Sequence, residues 1–287
     1  MKILEVIQRS AEFLTKRGVS SPRLQVELIL AHVLVMPRMR LYLSFEQLLT
    51  EPQLAAIRSF VQRRGNHEPL QYILGVTSFC GLDMTVNPRV LIPRPETELL
   101  AERAWKYLLS LSESSVAPVS ALDFGTGSGC IAVAMAAHAP NAQISALDIS
   151  DEALSVAREN AARHKTQVLF YLGNGFSALP EGAHFNLIVS NPPYISKTEI
   201  ETLDLDVRDH EPHGALDGGI DGLDYYRLLA GEAPRFLLPG GCLMVEFGDG
   251  QAGDIQTILE QQNWIVEAVE ADYTQRLRIL IARCGSV

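Results

Sequence analysis

Along this chain the spacing of apolar positions changes character twice. Over the first 75 residues it is helical: Ile3, Val6, Ile7, Phe13 and Leu14 share one stripe that stops at Gly18. "SSPRLQVELILAHVLV" predicts a second helix, with Ser21 as N-cap and Pro22 at its first position. "TEPQLAAIRSFVQRRG" predicts a third, with Thr50 and Gln53 in capping-box spacing and Gly65 just past its end. Residues 76–92 turn to β-type residues around a Gly and an Asn-Pro pair, which predicts a hairpin linking two domains. "PRPETELLAERAWKYLL" then opens a helix whose early acidic residues suit its positive end, and a Ser/Pro-rich loop is expected over 111–118.

Strands and helices alternate after that. "VSALDF", "AQISALDI", "QVLFYL", "FNLIVS", "GCLMVEF", "WIVEAVEA" and "RLRILIA" read as seven strands, mostly apolar throughout, with amphipathic helices between them. Strands of that kind are buried on both faces, so the fold class is α/β with a mostly parallel, doubly wound sheet. The expected organisation is a small helical bundle (1–75), a β-hairpin linker (76–92) and the α/β domain (93–287).

Charge sharpens this division. The net charge is −10, yet residues 1–75 hold ten Lys/Arg against six Asp/Glu, +4, leaving −14 for the rest. An acidic main body is a poor footprint for duplex DNA, so no direct nucleic-acid partner is expected. The helical part lacks an evident catalytic set and reads as a recognition module. The amphipathic N-terminus is no signal peptide, and "LILAHVLVM" is too short to span a bilayer, which points to a cytoplasmic protein without a membrane partner. Cys80, Cys130, Cys242 and Cys284 lie far apart, so neither a disulfide framework nor a zinc cluster is expected.

Three stretches carry chemistry. In "ALDFGTGSGC", Gly125, Gly127 and Gly129 sit in a strand-to-helix turn, where absent Cβ atoms let the backbone approach a ligand. The spacing is neither G-x-G-x-x-G nor a P-loop, which disfavours a phosphate cradle and favours a nucleoside without pyrophosphate. Asp148 ends the next strand, where a carboxylate can accept both ribose hydroxyl protons; Ser150 and Asp151 serve as well or better as caps of the following helix. In "IVSNPPYIS" two prolines stop a strand at about Ser190. The Asn191 side-chain oxygen and the Pro192 carbonyl are thereby held as rigid acceptors for one NH2 group, and Tyr194 offers a flat face. The set reads as a clamp for an amino nitrogen. His210, Glu211 and His213 lack a third histidine or helical H-x-x-x-H spacing, so no metal site is expected.

"LDFGTGSG", Asp148 and "NPPY" together resemble the class I S-adenosylmethionine (SAM) methyltransferases that modify exocyclic or amide nitrogens. More narrowly, "EPLQYILG", "NPRVLIPRPETE" and "EPHGALDGGIDGLDYYR" resemble the PrmC/HemK family, the N5-glutamine methyltransferases of peptide chain release factors. The resemblance covers residues 1 to about 283 and implies a Rossmann-like sheet of seven strands. It implies that Gly125, Thr126, Gly127, Ser128 and Gly129 wrap SAM and that Asp148 holds its ribose. It also implies that Asn174 and Gly175 contact adenine, where the family usually reads Gly-Asp-x-Phe. Asn191, Pro192, Pro193 and Tyr194 would hold the glutamine of a Gly-Gly-Gln loop in a release factor. SAM is the implied co-substrate, no metal is required, and a monomer is expected. The alternative is an N6-adenine or guanine-N2 nucleic-acid methyltransferase, since the same clamp fits a base amino group.

Overall fold

The computed structural model describes residues 1–114 and 117–285. The chain forms two compact units, Met1–Val76 with Asp204–His210, and Thr77–Leu203 with Glu211–Val287.

The first unit is built from α1 (Ile3–Lys16), α2 (Pro22–Val33), α3 (Arg38–Leu41), α4 (Glu51–Gly65) and α5 (Leu70–Leu74). The α1 stripe buries Ile3, Val6, Ile7 and Leu14 in one core with Val26, Ile29 and Leu30 of α2 and Leu54, Ile57 and Val61 of α4. The capping box forms as expected, with Thr50 N donating to Gln53 Oε1 at 3.0 Å and Gln53 N to Thr50 Oγ1 at 3.5 Å. Two expected ends differ. Ser21 precedes α2 but takes a left-handed conformation (φ 47°), and its side chain makes no cap bond. Gly65 is the last helical residue of α4 rather than its stop, because the Phe13 ring packs where a Cβ would stand; His67 supplies the left-handed turn instead.

In the second unit, β1 (Val76–Phe79) and β2 (Leu82–Thr85) form the hairpin, turning through Cys80 and Gly81, both at positive φ. The next helix, α6, spans Pro95–Ser114. It continues through the first half of the segment expected as a loop, because Leu111 extends the stripe of Leu100, Ala104 and Leu108 into the core; residues 115 and 116 lie outside the described residues. Then follow β3 (Ser120–Phe124), α7 (Cys130–His138), β4 (Gln143–Asp148), α8 (Asp151–Arg163), β5 (Val168–Leu172), β6 (Phe185–Ser190) and α9 (Lys197–Ile200). After α10 (Leu205–Arg208), which belongs to the first unit, come α11 (Asp224–Glu232), β7 (Leu237–Glu246), α12 (Ala252–Gln261), β8 (Trp264–Ala271) and β9 (Leu277–Cys284).

The seven large-sheet strands run in the order β5-β4-β3-β6-β7-β9-β8, parallel except for β9, which is antiparallel to both neighbours. β7 starts earlier than its apolar run suggests, since Leu237 pairs with Phe185 before a bulge brings Cys242 opposite Leu187. One face of the sheet packs under α6 and α7, the other under α11 and α12. Chain order reverses between β3 and β6: from β3 the chain winds outward to β5, then returns to β6 on the other side. Such a reversal opens a crevice at the carboxyl ends of the two strands, the usual ligand position in open α/β sheets.

In the first unit, Arg64 is buried and its guanidinium forks onto Asp206 of α10, Nη1 to Oδ1 at 3.2 Å and Nη2 to Oδ2 at 2.6 Å. It also donates to the Glu68 carbonyl at 3.1 Å.

Candidate active site

A cavity of about 300 Å³ opens at that crevice. Its walls include Gly125, Thr126, Gly127, Ser128, Asp148, Asn174, Gly175, Asn191 and Pro193, so the three stretches singled out in the sequence meet in one place. The opposite wall comes from "NPRVLIPRPETE", with Arg89, Pro93, Arg94 and Thr97. Gly129, Pro192 and Tyr194 stand behind the walls. Pro192 is buried, and the Tyr194 ring packs where a Cβ on Gly248 would stand, with burial pushing its phenol up to about 12.

The end of β3 dictates the glycine turn. Gly125 N and Thr126 N both donate to Leu147 O at 2.9 Å, folding the turn across the end of β4. Asp123 is fully buried; its Oδ2 accepts from Thr126 Oγ1 at 2.6 Å and from Ala132 N at 3.1 Å. Burial drives its carboxyl up to about 7 against those two bonds. Gly129 takes φ +78°, and a Cβ there would come within 2.9 Å of the Ala157 Cβ and 3.1 Å of its Cα. Gly129→Ala therefore combines a left-handed strain with a collision against α8 backbone. It is expected to lower stability by on the order of 2–4 kcal/mol, read as a shift of the urea midpoint.

Asp148 faces the turn across the crevice. Its Oδ2 accepts from Gly127 N at 2.8 Å and its Oδ1 from Ser150 N at 2.9 Å. Ser150 Oγ, not Asp148, caps α8 by accepting from Ala153 N at 3.1 Å. Burial raises the Asp148 carboxyl above its ordinary range, and these backbone donors oppose that rise.

β6 delivers Asn191 to the same crevice. Ser190 Oγ donates to Phe124 O at 2.7 Å, tying the ends of β6 and β3 together. Asn191 Nδ2 donates to Thr97 Oγ1 at 3.0 Å. The backbone beyond is braced by "EPHGALDGGIDGLDYYR": Ile195 N donates to Leu216 O and Gly218 N returns to Ile195 O. Gly218 has no room for a side chain, since a Cβ would lie 2.8 Å from both Pro193 O and Tyr194 Cα. Gln251 completes the brace, with Nε2 donating to Tyr194 O at 2.9 Å. Glu211, beside His210 in the sequence, is buried and pairs with Arg94 at 2.6 Å.

Several of these groups carried no sequence signal of their own: Thr97, Asp123, Glu246 and Gln251, and also Asn160, which bonds Ser128 O and both backbone groups of Thr85. All but the half-buried Gln251 share one mark, burial of a polar side chain. The only hint lay in "PETE" and "EFGDGQ", polar residues placed at the edges of apolar runs.

Because the buried Asp123 binds its proton more tightly folded than unfolded, its contribution to stability is present below about pH 4 and is lost as pH rises through about 7. The melting temperature of Asp123→Asn is expected to fall less than wild type between pH 5 and 7.5, measured by calorimetry.

Comparison with known proteins supplies the remaining observation. Residues 5–75 match the PrmC N-terminal domain and residues 104–205 the methyltransferase small domain. A release factor glutamine methyltransferase of Geobacter sulfurreducens is 46% identical over 252 residues, 87% of this chain and 85% of the relative. Another, of Vibrio cholerae, is 38% identical over 280 residues, 96% of this chain and 95% of the relative. The chain belongs to the release factor glutamine methyltransferases. Solved structures agree on the fold. A methyltransferase from Pyrococcus furiosus superposes with a TM-score of 0.52 at 20% identity, covering 83% of this chain and 100% of that one. A T. Thermophilus 16S rRNA N2 methyltransferase in complex with AdoMet and guanosine gives 0.51 at 18%, covering 73% and 49%. The seven-strand sheet, helical N-terminal region and hairpin expected from the sequence are all present.

Proposed function

We propose that this enzyme transfers the methyl group of SAM to the side-chain amide nitrogen of the glutamine in the Gly-Gly-Gln loop of peptide chain release factors. One observation carries the reading: the glycine turn after β3, Asp148 at the end of β4 and the Asn191 acceptor after β6 line a single cavity across three neighbouring strands. The residues fit SAM, with Gly125 and Gly127 leaving open space where a Cβ would stand and a carboxylate at the edge of the turn. When bound there, SAM supplies an electrophilic methyl group on a sulfonium.

The protein's own part is to hold and aim. Gly125 to Gly129 and Asp148 would bind the amino acid and ribose parts, and Asn174 with Gly175 would meet the adenine. An amide nitrogen is a weak nucleophile because its lone pair is delocalised. Hydrogen bonds from its NH2 to Asn191 Oδ1 and the Pro192 carbonyl push density onto nitrogen and fix its direction. Such orientation of reactants contributes several kcal/mol, up to roughly 7–11. The methylated nitrogen is strongly acidic and loses its proton to water, so no dedicated base is assigned.

The deciding experiment is mass spectrometry of a release-factor peptide after incubation with labelled SAM. A methyl on the Gly-Gly-Gln glutamine supports the reading, and label on RNA or DNA instead would favour the nucleic-acid alternative. That alternative is disfavoured by the −14 charge of residues 76–287, which repels a polyanion.

The helical unit would recognise the protein substrate, supported by its separate core and its +4 charge over residues 1–75. A chain starting at Thr77 is expected to keep SAM affinity within roughly threefold and to lose most activity on a whole release factor. If it methylates at the full rate, the recognition role is wrong. The enzyme would act as a monomer in the cytoplasm; among the described residues no helix is long and apolar enough to cross a membrane.

A further inference from the structure

We infer that Glu246 is a positioning residue for Asn191: its buried carboxylate stands beside Thr97, which accepts from the Nδ2 end of that side chain, and so keeps Oδ1 turned toward the substrate amide. The inference rests on the reading of Asn191 as the amide clamp.

An asparagine side chain is nearly symmetric in shape, while its two ends are opposite in function. Flipped, it would present an NH2 group to the substrate NH2, donor against donor. Something must therefore fix the flip. Ser190 pairs with Val245 across β6 and β7, which places Asn191 beside Glu246 at the strand ends. Glu246 is 2% exposed, and Thr97 and Asn191 are near enough to its carboxyl to oppose the rise that burial causes. Thr97 Oγ1 already accepts from Asn191 Nδ2 at 3.0 Å, so its own proton is free to point at Glu246. An ionised carboxylate has no proton to donate. In that ionised form, which prevails only above about pH 7, it dictates which end of Asn191 faces inward.

Glu246 is itself held rigidly. Its backbone pairs with Ile279 in the sheet, and its carbonyl accepts from Tyr226 OH at 2.8 Å. Burial pushes its carboxyl up to about 7; Thr97, Arg278 and Asn191 act against that rise and Glu96 with it, while the phenols of Tyr194 and Tyr226 face it. Oε2 has no hydrogen-bond partner among the described residues, the kind of buried polar atom that calls for a functional account.

The test compares Glu246→Gln, Thr97→Val, Thr97→Ser, Asn191→Ala and the double variant Asn191→Ala/Glu246→Gln. Melting curves, SAM titration, and kcat and KM on a release factor are measured for each. Glu246→Gln can donate as well as accept, so it releases the flip. Expected results are a fall of roughly 10–100-fold in kcat, with KM for the release factor and SAM affinity within about threefold of wild type. Thr97→Val should follow it, and Thr97→Ser should restore most of the rate. In the Asn191→Ala background, Glu246→Gln should cost less than about twofold more, because its route through Asn191 is already gone. Wild-type kcat for Glu246→Gln, an equal loss in both backgrounds, or a loss that tracks SAM affinity or melting each overturns the inference. If Asn191→Ala itself turns over at the wild-type rate, it is the clamp reading that fails.

Discussion

Asn191→Ala is expected to lower the methylation rate on a release factor by about 10²–10³, the usual loss on removing one preorganised polar group from a reaction centre. SAM affinity should stay within about threefold, because the alanine leaves the glycine turn and Asp148 untouched. The Pro192 carbonyl still offers one acceptor, so the substrate binds but is poorly aimed. The fall therefore appears in kcat more than in KM. Asn191→Asp makes a sharper comparison. It retains an acceptor toward the substrate, and on chemistry alone it should outperform alanine. Here, however, it sets a second carboxyl beside the buried Glu246 and removes the Nδ2 donor that Thr97 accepts. Like charges in a buried site are costly, so Asn191→Asp is expected to be no better than alanine. Steady-state rates with calorimetric SAM titration in parallel check both. Near-wild-type turnover for the alanine variant would mean that the amide is oriented by other groups.

Asp148→Ala is expected to weaken SAM by about 2–3 kcal/mol, roughly 30- to 150-fold in Kd, the scale of hydrogen bonds to a charged acceptor. Two losses combine. The ribose hydroxyls lose their acceptor, and Gly127 N and Ser150 N lose the carboxylate that holds the turn in place. Asp148→Asn isolates the second. Both Asp148 oxygens accept from backbone N–H groups, so an amide must turn its NH2 toward one of those donors. Asparagine is therefore expected to recover less than half of the lost free energy. Unchanged affinity in Asp148→Ala would remove Asp148 from the ribose site.

The elements and the crevice were legible before any coordinates because they rest on local patterns. Seven apolar runs gave seven strands, and an Asn-Pro-Pro-Tyr sequence cannot continue a sheet. What escaped was set by contacts between residues distant in sequence. Thr97 and Asn191 are 94 positions apart, and Arg94 and Glu211 are 117 apart. No periodicity links such pairs, and a buried threonine or glutamate reads in sequence like a surface one. Local misreadings had equally physical causes. Gly65 looked like a helix stop because glycine commonly is one, whereas here it makes room for the Phe13 ring. Ser21 looked like a cap from its position before Pro22, but its left-handed backbone accompanies a side chain without a cap bond. The loop expected from residue 111 ignored Leu111, whose apolar side chain keeps α6 in register with the core.

The discontinuity of the first unit has a practical consequence for building chimeric enzymes. Exchanging residues 1–76 for the corresponding part of a relative, to redirect which release factors are modified, would leave Asp206 opposite a foreign surface. Unless the incoming helices place a guanidinium where Arg64 stands, Asp206 loses the partner that forks onto it. Breaking a buried ion pair by removing one partner commonly costs about 3–5 kcal/mol. A successful graft must therefore carry two pieces of chain, the N-terminal helices and the short 204–210 excursion together, although more than a hundred residues separate them in sequence.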